Sequence, residues 1–364
     1  MIELRRKKLA MSFPEVHAKA TLSVDFQRTL RIPDDGRDYP LPPGLGSFPI
    51  RHVDDHAARL PELWKKHGGV MLPMYQSEAL WLNLDGSYPF AVKVATGKIN
   101  AITGEAWCDG IHRDPQDYMV TPEQPWLDGY CVEKGTIRQF VAMPLGGGYT
   151  VEEQITGEAE HGGLQIVVYP MKAEAYRDLP PPVHWVCDDV AMMVSESAPS
   201  YDMGLAPGGR MKQEIYDDRH SFDVWDTRAS SRCFVHIANS LAWRAVTGEE
   251  PPTTPLTARE YEKKGLPWFD HYGGDQTALE GAAALAEVKT VKEIGEDKGE
   301  HPLPENETVE DQWVVNLGGE SDGRPVREGP LCPSVGPLKT RTACAVQLGQ
   351  HASPPAPLDQ HDDL

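Results

Sequence analysis

The densest chemistry in this sequence lies between Glu152 and Gly163, where Glu152, Glu153, Glu158 and Glu160 precede His161 and the pair Gly162-Gly163. Carboxylates beside an imidazole are the groups that general acid–base or metal-assisted hydrolysis uses. If the carboxylates sit close together, at least one is expected to titrate above a solvated glutamate, because like charges disfavour joint ionisation. The two glycines would let a ligand approach the backbone closely. Glu153, Glu158 and His161 are therefore the candidate catalytic residues, with His112 as a further candidate. A solvated polar connector between two strands is the plainer alternative, since no spacing here matches a defined site.

Other clusters point to binding. Trp126 and Asp128 lie two residues apart, and an aromatic face with a neighbouring acceptor suits a sugar ring or a cationic ligand. Arg210 follows Gly208-Gly209 and could approach an anion, although such a pair more often marks a tight turn. Trp126, Asp128 and Arg210 are the candidate ligand-binding residues. A zinc site would draw on Cys108-x3-His112 and Cys131, with His161 as a conceivable fourth ligand. These ligands come from scattered loops and no Cys-x-x-Cys exists, so no residue is assigned to a metal. No cofactor is implied either: Gly-x-Gly-x-x-Gly, a Walker loop, Gly-x-Ser-x-Gly and His-Glu-x-x-His are all missing.

The elements that must position these groups read mainly as short strands. Period-2 alternation or apolar runs mark Thr21–Ile32, Val70–Tyr75, Ala79–Leu84, Phe90–Val94, Ile137–Met143, Leu164–Tyr169 and Cys233–Ile237. Asp-Gly pairs such as Asp85-Gly86 and Asp128-Gly129 supply turns. Helices are expected at His56–Lys66 and Asn239–Thr247, and two capping boxes open others: Thr257/Glu260 to Gly265, and Thr277/Glu280 to Gly295. The pattern [Ile/Val]-Thr-Gly-Glu occurs at Ile102, Ile155 and Val246. Shared turn chemistry explains it more simply than a duplication within 90–170. The expected fold is α+β: a strand-rich mixed or antiparallel body over residues 1–300, with a sub-boundary near 172–183 and helices gathered toward the C-terminus. Residues 301–364 carry nine Pro, six Gly and a net charge of −6. They are expected to form a disordered acidic tail.

The 364 residues carry 35 basic and 55 acidic side chains, a formal charge of −20. That charge argues against nucleic acid as a partner. No segment approaches ~18 uninterrupted apolar residues, so membrane insertion is not expected. Six cysteines without paired spacing fit reduced thiols in a cytoplasmic protein.

The runs Tyr75-Gln-Ser-Glu-Ala-Leu-Trp81, Tyr88-Pro-Phe-Ala-Val-Lys93, Gln124-Pro-Trp-Leu-Asp-Gly-Tyr-Cys131, Met203-Gly-Leu-Ala-Pro-Gly-Gly-Arg210 and Gly265-Leu-Pro-Trp-Phe-Asp270 resemble an uncharacterised family of bacterial and fungal proteins. Its members are sometimes labelled integral membrane protein. The resemblance spans roughly residues 20–295 and implies no activity, cofactor or catalytic residue; the membrane label runs against the hydropathy. Two function classes remain: a non-enzymatic ligand- or protein-binding scaffold, and an acid–base or metal-assisted hydrolase using Glu153, Glu158 and His161.

Overall fold

The computed structural model describes residues 1–179, 202–271, 276–300, 308–309 and 314–317. Met1–Gly319 forms one compact unit spanning both sides of 172–183, and Glu320–Leu364, a second unit, lies outside the described residues.

One sheet organises the first unit. Its strands are β1 (Ile2–Arg5), β2 (Lys8–Ser12), β3 (Thr21–Thr29), β4 (Asp38–Tyr39), β5 (Arg51–His52), β6 (Val70–Met74), β7 (Ala79–Asp85), β8 (Phe90–Thr96), β9 (Ile99–Asn100), β10 (Met119–Thr121), β11 (Trp126–Leu127), β12 (Gly129–Glu133), β13 (Thr136–Pro144), β14 (Leu164–Pro170), β15 (Asp202–Lys212) and β16 (Ser231–Asn239). The main path runs β1-β2-β3-β7-β13-β15-β16-β14-β8-β10. Pairing is antiparallel throughout, except that β4 joins β15 and β6 joins β16 in parallel. The apolar strands expected from alternation all form, because one side of each packs into a common core that includes Phe26, Leu82, Val94, Phe140, Ile166 and Val235.

The helices are short and spread along the chain: α1 (Glu62–His67), α2 (Val151–Thr156), α3 (Ala173–Arg177), α4 (Ser240–Thr247), α5 (Ala258–Lys263), α6 (Ala283–Ala286) and α7 (Val291–Asp297). They are not gathered at the C-terminus. The Thr257 capping box opens α5 as expected. The Thr277 box does not open a helix, because the chain there bridges Tyr216 through Ala278. The working box is Thr290/Glu293, which opens α7. Among the described residues, no helix is long and apolar enough to cross a membrane.

The stretch expected to be tail from His301 contains a buried residue and a paired strand. Val309 is fully buried against a cluster containing Tyr39 and Trp268, and β18 (Val314–Leu317) pairs in parallel with β17 (Trp268–His271). The apolar residues Val309, Val314 and Val315 supply what the surrounding Pro/Gly-rich composition lacks. The rest of 301–364 lies outside the described residues.

The repeated [Ile/Val]-Thr-Gly-Glu is one turn used three times. Gly104, Gly157 and Gly248 all adopt positive φ. In each case the threonine Oγ1 accepts from the glutamate N–H two residues on, at 3.1–3.3 Å.

Candidate functional site

Around Glu152–Gly163 two carboxylates accept from backbone N–H groups and two pair with Lys98. Residues 151–156 form α2, and Glu153 is its capping-box acid: Oε2 accepts from Thr150 N–H and Oγ1–H, while Oε1 accepts from Gly148 N–H. Glu152, 1% exposed, accepts from the N–H groups of His161 and Gly162. Glu158 is exposed and paired with Lys98, which also holds Glu160 at 3.1 Å. The bonded Lys98 holds the Glu160 carboxyl below its ordinary value, opposite to the expected upward shift.

The two glycines are approached by the protein's own backbone: both have φ +57°, and a Cβ would meet Met203 O at 2.8 Å from Gly162 and Val235 O at 2.4 Å from Gly163. His161 is half-buried. Its ring stacks on His67 at 5.3 Å, with Nδ1 3.3 Å from Glu152 Oε1, within ion-pair reach but outside hydrogen-bond geometry.

The expected ligand-binding trio is not assembled. Trp126 lies half-buried with His271 edge-on to its ring, in a shallow depression shared with Gln213. Arg210 is occupied by carboxylates, Asp38 at 2.7 Å and Glu133 through both terminal nitrogens. Asp128 is buried, and its Oδ2 accepts from Gln213 Nε2 at 2.8 Å. Burial pushes its carboxyl up to about 7.

A raised folded-state pKa contributes stability that is complete below the unfolded value of 3.8 and lost as pH rises through about 7. Asp128→Asn, which keeps the shape of the neutral acid, is therefore expected to melt progressively higher relative to wild type between pH 4 and pH 7, with a constant gap above. Parallel melting curves across that window would mean that burial does not raise the Asp128 carboxyl above its unfolded value.

A different set of side chains does converge, through the register of β8, β14 and β16. Lys93, Val167 and Arg232 lie opposite one another, as do Ala95, Gln165 and Phe234 in the next row on the same face. Intervening rows such as Val94, Ile166 and Cys233 point into the core. On the outer face Arg232 is sandwiched between the rings of Trp107 (5.1 Å) and Phe234 (4.7 Å), and its guanidinium donates to Gln165 Oε1. From α1, His67 stacks on Phe234 at 4.3 Å and Trp64 stacks on His236 at 4.5 Å. His236 Nε2–H donates to Gly68 O at 3.0 Å, and burial drives its imidazole down to about 4, so that it is neutral.

At the edge of this face Lys93, 1% exposed, sends its ammonium into the loop between β9 and β10. It donates to Cys108 O (2.8 Å), Gly110 O (2.9 Å) and Asp117 Oδ2 (2.7 Å), with Cys108 Sγ at 3.4 Å. Asp117 Oδ1 accepts from His112 N–H at 2.8 Å, and Oδ2 lies 3.0 Å from His112 Nδ1. Cys108 Sγ lies 3.6 Å from the same Nδ1. Cys108 and His112, paired in the sequence reading, are thus brought together, while Cys131 is buried with its thiol pushed up to about 12. Sequence reasoning missed Lys93 and Asp117. An ionisable residue inside the apolar run Phe90–Val94 was the available signal.

Compared with protein families, curated proteins and solved structures, the chain matches none.

Proposed function

We propose that this is a non-enzymatic binding protein whose docking surface is the accessible patch that Arg232, Trp107 and Phe234 form over the outer face of β8, β14 and β16, and that its occupant is a partner protein presenting a carboxylate beside a flat apolar side chain. The carrying observation is Arg232 held between Trp107 and Phe234. Arg and aromatic residues are the side chains over-represented at the centre of protein interfaces, where each contributes most of its energy once desolvated. Its ion pair with Asp109 is 3.7 Å long and Asp109 is 93% exposed, so that contact is weak and replaceable by a partner's carboxylate. His67 and His161 extend the ring surface. The hydrolase alternative is not favoured, since Glu153 is occupied by the α2 cap and Glu158 by Lys98.

Arg232→Glu is expected to weaken partner binding by about 2 kcal/mol or more, roughly thirtyfold, without lowering the melting temperature. Quantitative affinity capture from the source cells would compare it with Arg228→Glu, a substitution at a 90% exposed guanidinium outside the ring sandwich. Equal recovery of the same proteins by both variants would remove this face from consideration.

A further inference from the structure

We propose that Cys108, His112 and Asp117 form a three-ligand site for a divalent transition metal, zinc being the ion the donor set favours, with a fourth position open to solvent. The three donor atoms lie within 4.8 Å of one another. Tetrahedral zinc, with bonds of about 2.3 Å to sulfur, about 2.05 Å to nitrogen and about 2.0 Å to oxygen, spaces its donors about 3.6 Å (S···N), about 3.3 Å (N···O) and about 3.5 Å (S···O) apart. The corresponding separations here are 3.6, 3.0 and 4.0 Å. The triangle therefore needs adjustments of about half an ångström or less. One thiolate, one imidazole and one carboxylate with a vacant position is the ligand count of a catalytic or exchangeable zinc site, since structural sites close all four.

The surroundings supply what orients such ligands. Asp117 is 3% exposed, and its second oxygen is fixed by the His112 N–H. Its backbone carbonyl accepts from Asn100 Nδ2 at 2.8 Å. Carboxylate ligands held this way by outer hydrogen bonds keep their geometry when the ion leaves. Cys108 and His112 are exposed, so the ion enters from solvent.

Lys93 is the competing cation. Its three protons are already shared among Cys108 O, Gly110 O and Asp117 Oδ2, from the buried side of the same carboxylate. Asp117 Oδ2 has lone pairs for both the ammonium and the ion. Binding releases the Cys108 proton to solvent as the metal–sulfur bond forms, so affinity rises with pH.

The test uses full-length protein stripped with a chelator and titrated with Co²⁺, then Zn²⁺. The expected result is one equivalent of Co²⁺ with a thiolate-to-cobalt charge-transfer absorption, displaced stoichiometrically by Zn²⁺. Cys108→Ser should abolish the absorption and His112→Ala should weaken binding at least tenfold, whereas Cys131→Ser and His67→Ala should change neither. Circular dichroism confirms that each variant is folded. Absence of the charge-transfer absorption at saturating Co²⁺, or its persistence in Cys108→Ser, overturns the proposal and leaves Lys93 as the cation that this cluster serves. Loss of binding in His67→Ala with His112→Ala unchanged overturns it too, by moving the ion to the stacked imidazoles.

Discussion

Replacing Lys93 by methionine is expected to lower the free energy of unfolding by about 3–5 kcal/mol, the range found when one member of a buried ion pair is removed. Methionine matches the length of the lysine stem, so little packing is lost and the change isolates the ammonium. What remains is a carboxylate, Asp117, with 4% of its side chain exposed, together with the carbonyls of Cys108 and Gly110 that lose their shared donor. Two contacts from His112 still reach Asp117, its backbone N–H at 2.8 Å from Oδ1 and its ring Nδ1 at 3.0 Å from Oδ2. The contrast is with Lys134–Glu280, whose side chains are 51% and 81% exposed and whose removal is expected to cost at most about 1 kcal/mol. Urea unfolding measures both. Adding Asp117→Leu to Lys93→Met should recover part of the loss, because removing both charges costs less than stranding one. A loss below about 1 kcal/mol for Lys93→Met alone would mean that water reaches Asp117 and that the pair is not a structural anchor of the 108–117 loop.

This pair also shows where the sequence stops being informative. Strands with period-2 alternation were legible to within a residue or two, as at Leu164–Pro170 and Ala79–Asp85, because one face of each had to be buried. β15 was not legible as one strand, since the pair Gly208-Gly209 within it reads as a tight turn. There the glycines permit contact between backbones and side chains: a Cβ on Gly209 would lie 2.3 Å from Pro33 O, and one on Gly208 would lie 2.6 Å from Val141 Cγ2. The Thr277/Glu280 pair suggested one long helix to Gly295, yet the chain there forms two short ones, α6 and α7, and the capping box that forms is Thr290/Glu293. At the site, Cys108 and His112 could be paired from spacing alone. Lys93 and Asp117 could not, because their meeting is set by the register of β8 and by the fold of the following loop. At Glu152–His161 residue type alone could not tell the roles apart, because acids that cap helices and clamp loops have the same residue types as acids that do catalysis.

Gly163→Ala is expected to cost about 2–5 kcal/mol, from two separable sources. The residue has φ +57°, which for alanine costs about 1–2 kcal/mol. The new methyl would also sit 2.4 Å from Val235 O, a backbone atom of β16 that cannot swing aside as a side chain end would. Relieving that overlap forces the start of β14 away from its partner, at about 1–3 kcal/mol for an overpacked site. Little slack exists nearby: Gly163 N–H donates to Met203 O, its own carbonyl accepts from Gly97, and Glu152 clamps the preceding Gly162 N–H at 2.8 Å. Gly157→Ala is the matched comparison, with φ +74° at the end of α2 and no atom within 4 Å of the added methyl. It carries the conformational strain without the collision. Urea denaturation of both variants should therefore place Gly163→Ala well below Gly157→Ala, by about 1–3 kcal/mol. The displaced strand edge should also disturb the pairing of Gln165 with Phe234, and with it the ring surface on which Arg232 rests. Weakened partner binding in Gly163→Ala, with Gly157→Ala binding as wild type, is the accompanying result. Equal stabilities for the two alanine variants would show that β14 can shift on β16 without cost, and that the outer face is not held in the register that assembles it.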